Sequence, residues 1–162
     1  MEKRSRQRIG DMLVERGLIT RGQLDEALVQ QRTSRGFLGA ILVQRGAIRP
    51  EVLLRTLSEQ FGLPSERLKV EQMDWRVAAQ FPGSVLSEGK CFPIRSDSES
   101  VTVAITNPLD AWSLSGMEQA AGFRKVIPIL VLEHELQQVV QAYRQHLLRS
   151  IELRLKNDDN NG

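Results

Sequence analysis

RIGDMLVERGLITRGQLDEALVQQ at 8–31 is followed, after five residues, by FLGAILVQRGAIRPEVLLRTLSEQ at 37–60. Both stretches are 24 residues long, and the second repeats the first at an offset of 29. Gly10 then meets Gly39, Leu13 meets Leu42, and Gly17 meets Gly46. Ile19 meets Ile48, Leu24 meets Leu53, Leu28 meets Leu57 and Gln31 meets Gln60. Recurrence at a fixed period of this size marks a structural unit used more than once. Two copies are too few for a solenoid, so a pair related by pseudo-symmetry is expected.

Within each copy the apolar residues fall at helical spacing. Ile9, Met12 and Leu13 share a face over 9–16, and Gly17 supplies a C-terminal stop. Thr20 and Gln23 form a capping-box pattern, with Ile19 and Leu24 at the two positions of a hydrophobic staple. In the second copy Gly46 ends the first helix. Pro50 takes the first position of the next, where its missing N–H removes no helical bond. Gly62 and Pro64 end that one. Four short helices in two pairs are therefore predicted before residue 64.

The remainder is mixed. Residues 65–74 read as a connection. Helices are expected over 75–80 and 84–88, broken by Phe81-Pro82-Gly83. Cys91–Ile94 and Val101–Thr106 look like paired strands around a polar loop at 96–100. Asn107-Pro108 is a helix start, with Asn as the cap and a run to about Ala121. Val126–Val131 is a third strand, and Pro128 within it argues for an edge. Leu132 to about Leu155 is a long amphipathic helix with a stripe of Leu136, Val139, Val140, Tyr143 and Leu147. Residues 157–162 are expected to be disordered. The fold class is α/β, of the α+β kind. An all-helical unit over 1–64 is built from the tandem motif, and a small three-stranded sheet with helices spans 75–156.

Composition bounds the function. Apolar content of 41% and charged content of 26% fit a globular protein. A net charge of +2 is too small to argue for nucleic acid, although Lys3, Arg4, Arg6 and Arg8 make the start locally basic. No apolar run approaches the roughly 18 residues of a membrane span. MEKRSRQR lacks the apolar core of a signal peptide. A single cysteine, Cys91, allows no internal disulfide. The expected location is the cytoplasm, with no direct membrane insertion.

Catalytic motifs are missing. A phosphate-binding loop needs G-x-x-x-x-G-K-[ST]. The nearest stretch, Gly83 to Cys91, has five residues between its glycines and Cys91 after Lys90. A zinc-protease helix needs H-E-x-x-H, and His134-Glu135 is followed by Gln138 where the second His should stand. His146 has no carboxylate or thiol cluster near it in sequence, and Cys91 has no recognisable base. The expectation is a binding protein, with no enzyme activity, metal or cofactor.

The double motif resembles the N-terminal, MshEN-type domain of type II secretion and type IV pilus assembly ATPases. That pattern is R-L-G, an apolar pair, a Gly with two more apolar residues, then L-x-x-x-L-x-x-Q, written twice with a five-residue spacer. Here it is met by Arg8-Ile9-Gly10, Leu13-Val14, Gly17-Leu18-Ile19, Leu24, Leu28 and Gln31. It is met again by Leu38-Gly39, Leu42-Val43, Gly46-Ala47-Ile48, Leu53, Leu57 and Gln60. The later stretch Val101–Thr106 with Asn107-Pro108-Leu109-Asp110 also resembles the family's second subdomain.

The resemblance implies a receptor for cyclic di-GMP, a ligand with two guanines and two phosphates that suits a doubled site. Arg8 would give two hydrogen bonds to guanine N7 and O6. Gln31 and Gln60 offer an amide donor and acceptor together. Gly10 and Gly39 would let backbone N–H groups approach a phosphate. Leu24, Leu28, Leu53 and Leu57 would wall the purine faces, beside Ile9 and Leu38, and Asp110 would reach in from the second subdomain. Two departures stand out. Ile9 replaces the Leu of the pattern, and Phe37 stands where the first copy has Arg8. The second half-site thus lacks that guanidinium, though Arg35 is close in sequence and Phe37 can stack on a base. The implied partner is a component of a secretion or pilus machine, either its ATPase or its inner-membrane platform. The missing ATPase portion implies a free-standing receptor or an excised piece. The rival expectation is a docking module for such machinery that binds no nucleotide.

Overall fold

A computed structural model describes residues 8–159. The chain divides into two compact units, one ending at Ser65 and the other beginning at Glu66.

The first unit holds α1 (Ile9–Glu15), α2 (Arg21–Ser34), α3 (Leu38–Gln44) and α4 (Pro50–Phe61). The offset seen in sequence recurs in the backbone, because α3 and α4 start 29 residues after α1 and α2. Both short helices close with a Schellman motif. Gly17 N–H donates to Val14 C=O at 2.9 Å and Leu18 N–H to Leu13 C=O at 2.9 Å. Gly46 and Ala47 make the same bonds to Val43 and Leu42, each at 2.9 Å. The motif needs a left-handed residue, and Gly17 and Gly46 supply it at φ +67° and +70°. The long helices begin differently. Thr20 and Gln23 form the reciprocal capping box, at 3.1 Å and 2.8 Å. Pro50 opens α4 without one.

Packing crosses between the copies. α2 lies against α3, and α1 against α4. Arg16 at the end of α1 pairs with Glu59 of α4. Arg45, its equivalent after α3, donates to Gln30 Oε1 of α2 at 3.2 Å. Residues 16 and 45, and 30 and 59, are each 29 apart, so these contacts are images of one another under the pseudo-symmetry. Leu13, Leu42, Ile19 and Ile48, also equivalent in pairs, form the buried centre with Leu24, Ala27 and Ile41. Where the first copy buries Ala27, the second buries Thr56. Its hydroxyl donates to Val52 C=O at 2.9 Å, so burial leaves no orphan hydroxyl.

The second unit contains a 3₁₀ turn (Val70–Gln72), α5 (Trp75–Ala78), α6 (Gly83–Ser87), β1 (Cys91–Ser96), β2 (Ser100–Ile105), α7 (Ala111–Ala121), β3 (Lys125–Leu130) and α8 (Glu133–Asp159). The sheet order is β1-β2-β3. β1 and β2 pair antiparallel through the polar turn, and β2 and β3 pair parallel through the α7 crossover. Both edge strands carry a proline, Pro93 and Pro128. Each removes an N–H that an incoming strand would use. Val101, Val103, Leu130, Leu136, Val139 and Met117 fill the core. Phe92 and Tyr143 meet edge-on at 5.6 Å beside Trp75. Buried Glu135 accepts from Leu68 N–H at 2.9 Å and pairs with Arg67, so its charge is matched.

The structure corrects four local expectations. α7 begins at Ala111, capped by Asp110. Asn107 instead accepts from Leu109 N–H at 2.9 Å in the turn before it. α5 stops at Ala78, short of Gln80. α8 continues to Asp159, past the expected end at Leu155, so 157–159 are helical, while 160–162 lie outside the described residues. Leu147, placed by periodicity on the buried stripe of α8, is 42% exposed, because Tyr143 is the last buried residue of that helix. Lys3, Arg4 and Arg6 lie outside the described residues.

Candidate functional site

The starts of α1 and α3 are the places where the repeated motif concentrates its unusual residues. Arg8 and Phe37 are the N-caps of these helices, with nearly the same backbone, φ −64°, ψ 141° and φ −76°, ψ 136°. Neither helix has a side-chain cap, unlike α2. Arg8 is exposed and Phe37 is 43% exposed. Among the described residues, no ion pair engages Arg8 or Arg35.

The two helix starts are neighbours. A Cβ on Gly10 would lie 2.6 Å from Leu24 Cδ1 and 3.1 Å from Leu38 Cδ2. The first turn of α1, Leu24 of α2 and the first residue of α3 therefore converge. Arg8 and Phe37 stand one residue outside that point, on Ile9 and Leu38, both half-buried. Gly39 repeats the arrangement, since a Cβ there would lie 3.0 Å from both terminal carbons of Leu53. The missing side chains expected to admit a phosphate are thus also explained by leucine packing.

The other residues singled out by the motif divide by burial. Leu24 and Leu57 are core, 2% and 8% exposed, while Leu28 and Leu53 are half-buried. Gln31 donates its amide N–H to Gly36 C=O at 2.9 Å. That bond ties the end of α2 to the loop leading into Phe37, so Gln31 positions the second helix start. Gln60 is half-buried at the equivalent place on α4. Arg35 takes the left-handed conformation at φ 52°, a rare choice for a non-glycine residue, just before Gly36. Repetition could not flag Arg35, because it lies in the spacer between copies.

Asp110 belongs to the second unit, where its carboxylate accepts from Ser113 N–H at 3.2 Å and Ser113 Oγ–H at 2.8 Å. A hollow of about 210 Å³ nearby is lined by Ser84, Val85, Glu88, Trp112, Ser113, Ser115, Gly116 and Gln119. None of the residues singled out by the motif lines it. Among the described residues no group of three His, Cys, Asp or Glu could hold a metal ion. No described helix is long and apolar enough to cross a membrane.

The chain is similar to known proteins over most of its length. The MshEN domain family model matches residues 61–150, more than half of the chain. The type IV pilus assembly ATPase PilB of Thermus thermophilus is 33% identical over 117 residues, covering 71% of this chain and 13% of that protein. Bacteriophage adsorption protein B of Escherichia coli is 30% identical over 135 residues, covering 83% of this chain and 18% of that protein. The chain thus spans under a fifth of the length of either relative. Among solved structures, that of MshE with cdg has a TM-score of 0.71 at 22% identity, covering 85% of this chain and 99% of that one. At that identity the likeness speaks for the fold.

Proposed function

The chain belongs to the MshEN domain family, and from that premise we propose that its tandem helical unit is a receptor for cyclic di-GMP. The observation that carries this reading is the neighbouring pair of equivalent helix starts, Arg8–Gly10 and Phe37–Gly39, around one pseudo-symmetry. A cyclic dinucleotide is itself two-fold symmetric, so each half of the ligand would meet one copy of the motif. A structure of similar fold was solved with cdg, which supports the ligand class. In this reading Arg8 donates to guanine N7 and O6. Ile9, Leu28, Leu38 and Leu53 offer half-buried apolar surface to the rings. Leu24 and Leu57 back that wall from the core. Gln31 holds the loop that presents Phe37, and Gln60 is a proposed polar contact. The domain acts by binding alone and relays ligand occupancy to a cytoplasmic secretion or pilus machine.

Calorimetric titration with cyclic di-GMP, with GTP as control, tests this. Saturable heat is expected for the cyclic dinucleotide alone. Arg8→Ala should weaken it by about 1–3 kcal/mol if the guanidinium reads guanine bidentately. Wild-type affinity in that variant would remove Arg8 from the site, and no heat at all would refute the receptor.

A second reading, protein docking without nucleotide, has its own observation. Beyond Tyr143 the face of α8 carries Leu147, Leu148, Ile151 and Leu155, 42%, 61%, 54% and 60% exposed. Apolar residues in register on an uncovered helix mark a contact surface. Binding to a purified machinery component that is lost in Ile151→Glu, yet blind to cyclic di-GMP, would favour this reading.

A further inference from the structure

Arg8 and Phe37 occupy one and the same position in the two copies, as N-caps with matching backbone, yet their chemistry is opposite. Resting on the receptor reading, we infer that the two half-sites differ in base selectivity, so that the protein also takes a mixed cyclic dinucleotide with one guanine and one adenine.

Guanine presents two acceptors, N7 and O6, on the edge that a guanidinium fork can reach. Adenine presents the N7 acceptor beside the N6 amino donor, so the same fork meets a donor where it needs an acceptor. The Arg8 half-site therefore demands guanine. Phe37 has no polar atom with which to tell the two apart. Its ring, 43% exposed at the helix start, can stack on either purine face. The loop that delivers it is held by the Gln31 to Gly36 bond at 2.9 Å. Arg35 is the nearest alternative guanidinium in sequence. It precedes the helix start by three residues and sits at the left-handed end of α2, so it does not replace Arg8 in the repeated frame.

The test is calorimetry of the whole chain with three probes: cyclic di-GMP, 3′,3′-cyclic GMP–AMP and cyclic di-AMP. Wild-type protein should bind the mixed ligand within about threefold of cyclic di-GMP, and cyclic di-AMP about 5- to 150-fold more weakly. Phe37→Arg should restore a second guanine reader and widen the gap between cyclic di-GMP and the mixed ligand by about 5- to 150-fold. Phe37→Leu should weaken both ligands alike and leave their ratio unchanged, and Arg35→Ala should leave the ratio unchanged as well. The inference is overturned if wild-type protein rejects the mixed ligand as strongly as Phe37→Arg does. It is equally overturned if Arg35→Ala is what relaxes the selectivity. Failure of cyclic di-GMP itself to bind would bring down the receptor reading, and this inference with it. Tight cyclic di-GMP binding with strict rejection of the mixed ligand would sink the inference alone.

Discussion

Leu24 packs directly over Gly10, leaving 2.6 Å between its Cδ1 and the position a Cβ would take. Leu24 is 2% exposed, so it has little room to turn aside. Gly10→Ala should destabilise the first unit by about 1–3 kcal/mol through overpacking. Gly39→Ala should do less harm, because the clash is milder, at 3.0 Å, and Leu53 is only half-buried. Urea denaturation of the two variants checks the order. Equal losses would mean that packing does not set the difference.

Asp110 caps α7 through Ser113 N–H. Asp110→Ala should destabilise by about 0.5–2 kcal/mol, and Asp110→Asn by much less, since asparagine caps as well as aspartate. Thermal melts of both variants measure this.

Burial pushes the Cys91 thiol up to about 11, with the Asp110 and Glu88 carboxylates adding to the shift. The folded thiol should therefore stay protonated and resist a thiol-specific disulfide reagent at pH 8, reacting only on unfolding. The unfolded thiol loses its proton at lower pH than the folded one. The contribution to stability is thus complete below about 8.5 and lost as pH rises toward 11. Cys91→Ala should flatten that alkaline decline in melting temperature. Rapid labelling of native protein would contradict the buried placement.

Carboxylates give the opposite slope at acid pH. The Arg95 guanidinium, at 2.9 and 2.7 Å, holds Glu66 below the usual carboxylate range. The Glu99 and Ser100 N–H groups do the same for Asp97. These groups take up protons more readily in the unfolded chain. Their stabilisation is therefore present above about pH 4 and lost as pH falls through their lower folded values. Both sites are well exposed, so the Glu66–Arg95 pair should contribute no more than about 1 kcal/mol. Melting temperatures between pH 7 and 3 should fall less steeply in Arg95→Ala. An unchanged slope would remove Glu66 from the acid response.

The pieces whose physics is local can be read from the chain alone. Gly17 and Gly46 as helix stops, the Thr20–Gln23 box, Pro50 at a helix start and Pro128 at a sheet edge are all visible in it. Each depends on backbone chemistry within four or five residues. The start of α7 differs from the expected one because Asn107-Pro108 and Asp110 are competing caps, and hydrogen bonds to Leu109 and Ser113 decide between them. For the site, repetition picked out Arg8, Gly10, Phe37 and Gly39 but could not say that they converge. That was decided by packing across the copies, in which Arg16 meets Glu59, Arg45 meets Gln30, and Leu38 joins Leu24 of the first copy above Gly10. Leu147 teaches the same lesson, since helical period assigns a face but not what covers it. Partners about 14 or more residues away are chosen by apolar burial summed over the whole unit, and no short stretch of chain carries that sum.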